Sequence, residues 1–127
     1  MKAKKGTYRY YSQLQKDTVE SALQLLSEWS EYPESEIRGR RREEPLVDAR
    51  HLWWMLCMRT KQFSLVTLGA IVDKDHGTII HARKRHHNRL DTMKYYREAW
   101  KTLCDSYDYQ SDKRRRTDAP KNTNRVV

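Results

Sequence analysis

Ser64-Leu65-Val66-Thr67-Leu68-Gly69-Ala70-Ile71-Val72, then Asp73-Lys74-Asp75, then His76-Gly77-Thr78-Ile79-Ile80-His81-Ala82 follow one another without a gap, and this stretch decides the fold. Ser64 is a helix-capping residue ahead of an apolar run in which Leu65, Leu68 and Val72 step by three and four along one face. Asp75 repeats the cap, and Ile79, Ile80 and Ala82 supply the answering apolar positions. Two short helices, Ser64–Val72 and His76–Arg89, joined by about three polar residues, have the dimensions of a helix-turn-helix. In that motif the first helix braces across a backbone and the second lies in a major groove with its N-terminal residues facing base edges. Here those residues are His76, Gly77 and Thr78, with His81 and Arg85 further along the same side. Small and polar side chains at the tip permit close approach, and the helix N-terminus favours nearby anions.

Working outward, helical periodicity runs through nearly the whole chain. Thr18, Ala22, Leu25, Trp29 and Tyr32 step by 4, 3, 4 and 3, which predicts an amphipathic helix from about Ser12 that Pro33 ends. Residues 33–47 read as an Arg-rich connection containing Gly39 and Pro45. Asp48 is a plausible cap for a second helix with Leu52, Met55 and Leu56 on one face. On the far side of the motif, Asp91 is a plausible cap for a last helix over 91–107, where Met93, Tyr96, Trp100, Leu103 and Tyr107 again alternate threes and fours. No strand-like alternation and no Asn-Gly hairpin occurs. The expectation is an all-α domain of about five helices over residues 12–109. A basic arm over residues 1–11 precedes it, and a polar, disordered basic tail over 110–127 follows.

Length and charge narrow the function. At 127 residues there is room for one domain, and 26 Lys and Arg against 17 Asp and Glu give +9. Leu, Ile, Val and Phe are only about 17% of the chain, close to the disordered range, but 4 Trp and 8 Tyr restore buriable surface. The charge is segregated. Asp17, Glu20, Glu28, Glu31, Glu34 and Glu36 stand in a stretch without a base, whereas Arg38 and Arg40–Arg42, then Lys74 to Arg89, then Lys113–Arg116 are basic. One acidic side with several basic elements points to a polyanionic partner, most simply nucleic acid. The longest apolar run, Leu52–Met58, is far short of the ~20 residues of a membrane span, and no apolar stretch follows the charged N-terminus. No membrane role and a cytoplasmic, nucleoid-associated location are therefore expected.

Other constellations carry less. Cys57 and Cys104 are far apart, form no Cys-x-x-Cys motif and read as two reduced thiols. His86 and His87 point about 100° apart on a helix and lack the partners of a metal set, so no metal or other cofactor is expected. No base accompanies Cys57 and no carboxylate pair is placed for hydrolysis, so no catalytic residue and no enzyme activity are expected. Of Trp53 and Trp54, one should face outward, where it could mark a surface for a protein partner or a second copy; the last helix is another candidate for such a contact.

The segment Asp75-His76-Gly77-Thr78-Ile79-Ile80-His81-Ala82 resembles the signature helix of the bacterial replication initiator DnaA, which reads Asp-His-(Thr/Ala/Ser)-Thr-(Val/Ile)-(Leu/Ile)-His-Ala. Ser64-Leu65-Val66-Thr67-Leu68-Gly69 is similar to that family's Ser-Leu-x-Glu-Ile-Gly brace helix, Ala49-Arg50-His51 to its Pro-Arg-Gln, and Arg40-Arg41-Arg42 to its basic loop. The similarity covers roughly residues 17–90. It implies the C-terminal, TrpR-like DNA-binding domain of DnaA, standing alone. The ATPase part is not implied, because no Gly-x-x-x-x-Gly-Lys-(Ser/Thr) motif occurs. The resemblance further implies double-stranded DNA as partner. Base contacts would come from His76, Gly77, Thr78 and His81. Backbone or minor-groove contacts would come from Arg40, Arg41, Arg42, Arg50, His51, Lys74, Lys84 and Arg85. Gly77 departs from the pattern by lacking a side chain, His51 replaces Gln, and the turn Val72-Asp73-Lys74 is one residue shorter and lacks the usual glycines. A role in replication initiation or its regulation would follow, and a lone domain of this type would suit a phage or mobile element. The contrasting expectation is a sequence-neutral packaging protein that binds through its basic ends.

Overall fold

The computed structural model describes the backbone of residues 11–118 and the side chains of residues 11–113. Among them are helices α1 (Gln13–Ser30), α2 (Glu34–Arg38), α3 (Glu44–Arg59), α4 (Leu65–Val72), α5 (His76–Thr92) and α6 (Lys94–Asp118), and no strand. The helices start where local chemistry dictates. Ser12 and Gln15 form a reciprocal capping box at α1. The Ser64 hydroxyl accepts from the Thr67 N–H, and the Asp75 carboxylate from the Gly77 N–H.

α3 is the central helix. Leu52 to Cys57 are all buried, so it is apolar around its whole circumference and packs against each of the other helices. This corrects the expectation that one of Trp53 and Trp54 faces outward: they are 1% and 2% exposed, and neither presents an outward surface to a protein partner or a second copy. The Trp53 indole N–H donates to the Val19 carbonyl at 3.0 Å, tying α3 to α1. On α1 the buried stripe is Thr18, Val19, Ala22, Leu23, Leu25 and Leu26, and Trp29 leaves it for solvent.

Four boundaries differ from the sequence reading. The connection over 33–47 contains α2, whose Ile37 is buried. α3 begins at Glu44 with Pro45 in its first turn, which suits a residue without an N–H; Asp48 lies inside the helix and is not its cap. Asp91 belongs to α5, and the break before α6 falls at Met93, an extended residue whose carbonyl accepts from the Tyr96 and Arg97 N–H groups. The last helix continues to Asp118, so residues 110–118 are not a disordered tail. The expected basic arm over residues 1–10 and the tail beyond Asp118 lie outside the described residues.

α6 runs parallel to α3. Near its start the Tyr95 hydroxyl donates to Asp48 at 3.2 Å, and thirteen residues later the Arg59 guanidinium forks onto Asp108 at 2.8 and 2.9 Å. Its inner face carries Tyr96, Leu103, Cys104 and Tyr107 into the core. Both cysteines are free and buried, and burial pushes the Cys57 thiol pKa up.

The tight joint between α4 and α5 depends on Gly69 and Asp73. Asp73 adopts the left-handed conformation (φ 62°) that glycine usually fills. The Lys74 N–H returns to the Gly69 carbonyl at 2.7 Å and the Asp73 N–H to that of Ala70, closing a Schellman turn. A Cβ on Gly69 would stand 2.6 Å from the Lys74 carbonyl oxygen, a backbone atom that cannot step aside. Gly69→Ala gains about 1 kcal/mol of helix propensity but incurs overpacking of about 1–3 kcal/mol and disturbs the turn. A lowered urea midpoint is the expected result; a raised one would mean that the turn opens freely.

Candidate nucleic-acid interface

The exposed Arg-rich loop, the N-terminal half of α3, the 73–75 turn and the outer face of α5 surround one open cleft of about 920 Å³. Arg40 and Arg42 stand on one rim. Lys74 and Asp75 come from the turn, and Thr78, His81 and Arg85 from α5. Arg50, His51 and Trp54 contribute from α3. Residues distant in sequence are thus gathered on one face.

The tip of α5 is open. His76, Thr78 and His81 are exposed and Gly77 is partly so, whereas Ile79 and Ala82 are fully buried beneath them. The i, i+3 and i+4 spacing separates a solvent face from a core face on the same helix. Among the described residues nothing covers that tip.

The model of the bacterial DnaA protein helix-turn-helix family matches residues 19–85. The chain belongs to this family. Its fold is also that of a crystal structure of a DNA replication initiation factor, with a TM-score of 0.64 and 18% identity over 72% of this chain. The match spans 28% of that longer chain. No curated protein matches. Residues 19–85 thus carry a helix-turn-helix of the DnaA family, and the basic cleft lies on it.

The DnaA-type domain distributes its cations unequally. Arg40 and Arg42 form no ion pair with a described residue and project from the loop. Lys74 is half-buried beside Arg50 and Arg40. Burial first, then these two cations, pulls its pKa down, with Asp73 opposing. Such a concentration of like charge is relieved by an anion. Lys84 is exposed on α5 but lies outside the cleft. Arg41 is exposed yet held by Glu36 at 2.8 Å and by Glu43, and these carboxylates raise its pKa.

Arg50 differs most from a surface phosphate ligand. It is 6% exposed, and its guanidinium donates to the carbonyls of Ile37 (2.7 Å), Arg41 (3.0 Å) and Glu36 (3.1 Å). It thereby supports α2 and the Arg-rich loop from beneath. His51 is partly buried and packs against Trp54 with ring centroids 5.5 Å apart. Burial, followed by Arg85 and Arg50, depresses its pKa to about 4, so at neutral pH it offers a hydrogen bond and not a charge. The Trp54 indole N–H is buried there without an acceptor among the described residues.

Arg85 turns toward Asp48 at 2.7 Å and Glu44 at 3.6 Å, and Arg89 reaches Glu44 at 2.6 Å. This four-membered network clamps α5 to α3, and sequence reasoning missed its acidic half by reading Asp48 as a cap. A signal was present: Glu44 and Asp48 are four apart, as are Arg85 and Arg89, so each pair lies on one helix face.

Proposed function

We propose that the cleft grips duplex DNA with the tip of α5 in the major groove and the Arg-rich loop on the backbone or in the adjacent minor groove. The supporting observation is that exposed Thr78 and His81 border the same opening as Arg40 and Arg42, which form no ion pair with a described residue, with His76 exposed at the tip of the same helix. His76 and Thr78 then read base edges, while Arg40, Arg42, Lys74 and Lys84 hold phosphates. The tied Arg41 and Arg85 contribute less, and Arg50 and His51 shape the surface. Gly77 allows the helix end to approach closely but reads no base through a side chain. The reading places the protein at replication initiation, either marking a site or competing with an initiator for it. Any ATP-driven opening of the duplex must come from outside these residues, which contain no phosphate-loop motif.

Selection of bound duplexes from a random pool, followed by titrations at several salt concentrations, tests this. A preferred site is expected. Thr78→Val and His76→Ala should lower discrimination between sites by on the order of 1–3 kcal/mol. Arg42→Ala should weaken all sites and flatten the salt slope by about one, with a smaller effect from Arg41→Ala. A flat profile in the parent protein would favour sequence-neutral packaging instead.

A further inference from the structure

A second cavity, of about 340 Å³, opens beside the start of α3 and is lined by Trp29, Tyr32, Glu44, Pro45, Asp48 and Tyr95. Its walls are mainly aromatic. Trp29 and Tyr95 are 43% and 56% exposed, among the most exposed large apolar side chains described. The carboxylates of Glu44 and Asp48 stand at its edge. Both are already engaged, Glu44 by Arg85 and Arg89 and Asp48 by the same two arginines and the Tyr95 hydroxyl, so the pull on a cation comes from the aromatic faces and from the glutamates around the cavity.

The surroundings are negative. The cavity sits at the C-terminal end of α1, where the helix dipole is negative and no basic residue occupies the last turn. Exposed Glu28, Glu31 and Glu34 follow in the same stretch, which lacks any base from Asp17 to Glu36. This field repels nucleic acid and attracts cations. Aromatic faces on this acidic side of the molecule, in a cavity with room for one long side chain, match the chemistry of cation–π recognition.

We propose that this pocket docks a cationic side chain, arginine or lysine, presented by a basic segment of a protein partner. Glu44 also lines the DNA cleft, so a partner held here would sit beside the bound duplex without covering the tip of α5. The pocket stands on its own geometry and does not require the DNA-binding reading to be correct.

Amide NMR titration of the full chain, without DNA, tests the proposal. The probes are Nα-acetyl-arginine amide, Nα-acetyl-lysine amide and, as an uncharged control, Nα-acetyl-leucine amide. The cationic probes should saturate shifts at the Trp29 indole and around Tyr95, the leucine probe should not, and Trp29→Ala should weaken the response roughly tenfold. Trp29 is half-exposed, so the variant should retain the parent far-ultraviolet spectrum; Tyr95→Leu provides a second variant with the same expectation. Equal binding of the leucine probe, a response unchanged by both variants, or self-association that Trp29→Ala abolishes would each overturn the proposal.

Discussion

Arg50→Ala is expected to cost the domain about 3 kcal/mol, which corresponds to a fall in Tm of about 15 °C for a chain of this size. The argument starts from the three carbonyls that the guanidinium serves, on Glu36, Ile37 and Arg41. They belong to a short helix, otherwise tied down by buried Ile37 and by Arg38 on Glu20 and Trp53, and to the loop that follows it. Removing the donor orphans the buried Ile37 carbonyl, takes the Arg50 bond from the part-buried Arg41 carbonyl, and leaves that of Glu36 with the Gly39 N–H alone; an orphaned buried acceptor costs about 1–3 kcal/mol, and the lost packing of the buried side chain adds to it. Lysine should restore little, because one ammonium cannot match a planar fork spread over three oxygens. Thermal denaturation followed by circular dichroism checks both variants. If Tm stays put while only DNA affinity falls, Arg50 swings outward in solution and acts as a phosphate ligand after all.

The second large effect is on acid stability. His86 is 3% exposed, its Nδ1 lies 2.7 Å from the Tyr96 hydroxyl, and its ring meets Trp100 edge-on at 4.5 Å. Burial, with His87 adding to it, lowers its pKa to about 4, against about 6.5 for an unfolded histidine. Between these values the unfolded chain binds a proton that the folded chain refuses. The contribution is therefore complete above about pH 6.5 and is lost as pH falls toward 4, amounting to about 3 kcal/mol. His51 acts in the same direction. Urea titrations at pH 7 and pH 4 should show the loss, and His86→Gln, which cannot titrate, should show a visibly smaller one. An unchanged pH dependence in that variant would assign the effect to other groups.

What could be read in the sequence was what is decided locally. Ser64 and Asp75 cap helices with their own side chains, and the three- and four-residue steps around Leu68 and Ile79 do not depend on the rest of the chain. The helix-turn-helix and its exposed tip were therefore legible. The orientation of Arg50 and the burial of both tryptophans were not, because each is decided by neighbours far away in sequence: carbonyls of a helix not foreseen, and helices on every side of α3. Asp48 shows the same limit. An aspartate ahead of an apolar run looks like a cap, and only the approach of Arg85 from thirty-seven residues away explains its burial. Past Tyr107 the periodicity gives no further apolar step, yet α6 continues, since charged residues can extend a helix already begun by packing.

The common heading of α3 and α6 has a practical consequence. The Arg59–Asp108 fork marks the end of α3 remote from Glu44 and the Arg-rich loop, and α6 passes beyond it before reaching Asp118. A fluorophore or surface tether attached near that terminus would hold the molecule by its back, leaving the opposite pole clear to meet a duplex in single-molecule or sensor-chip measurements.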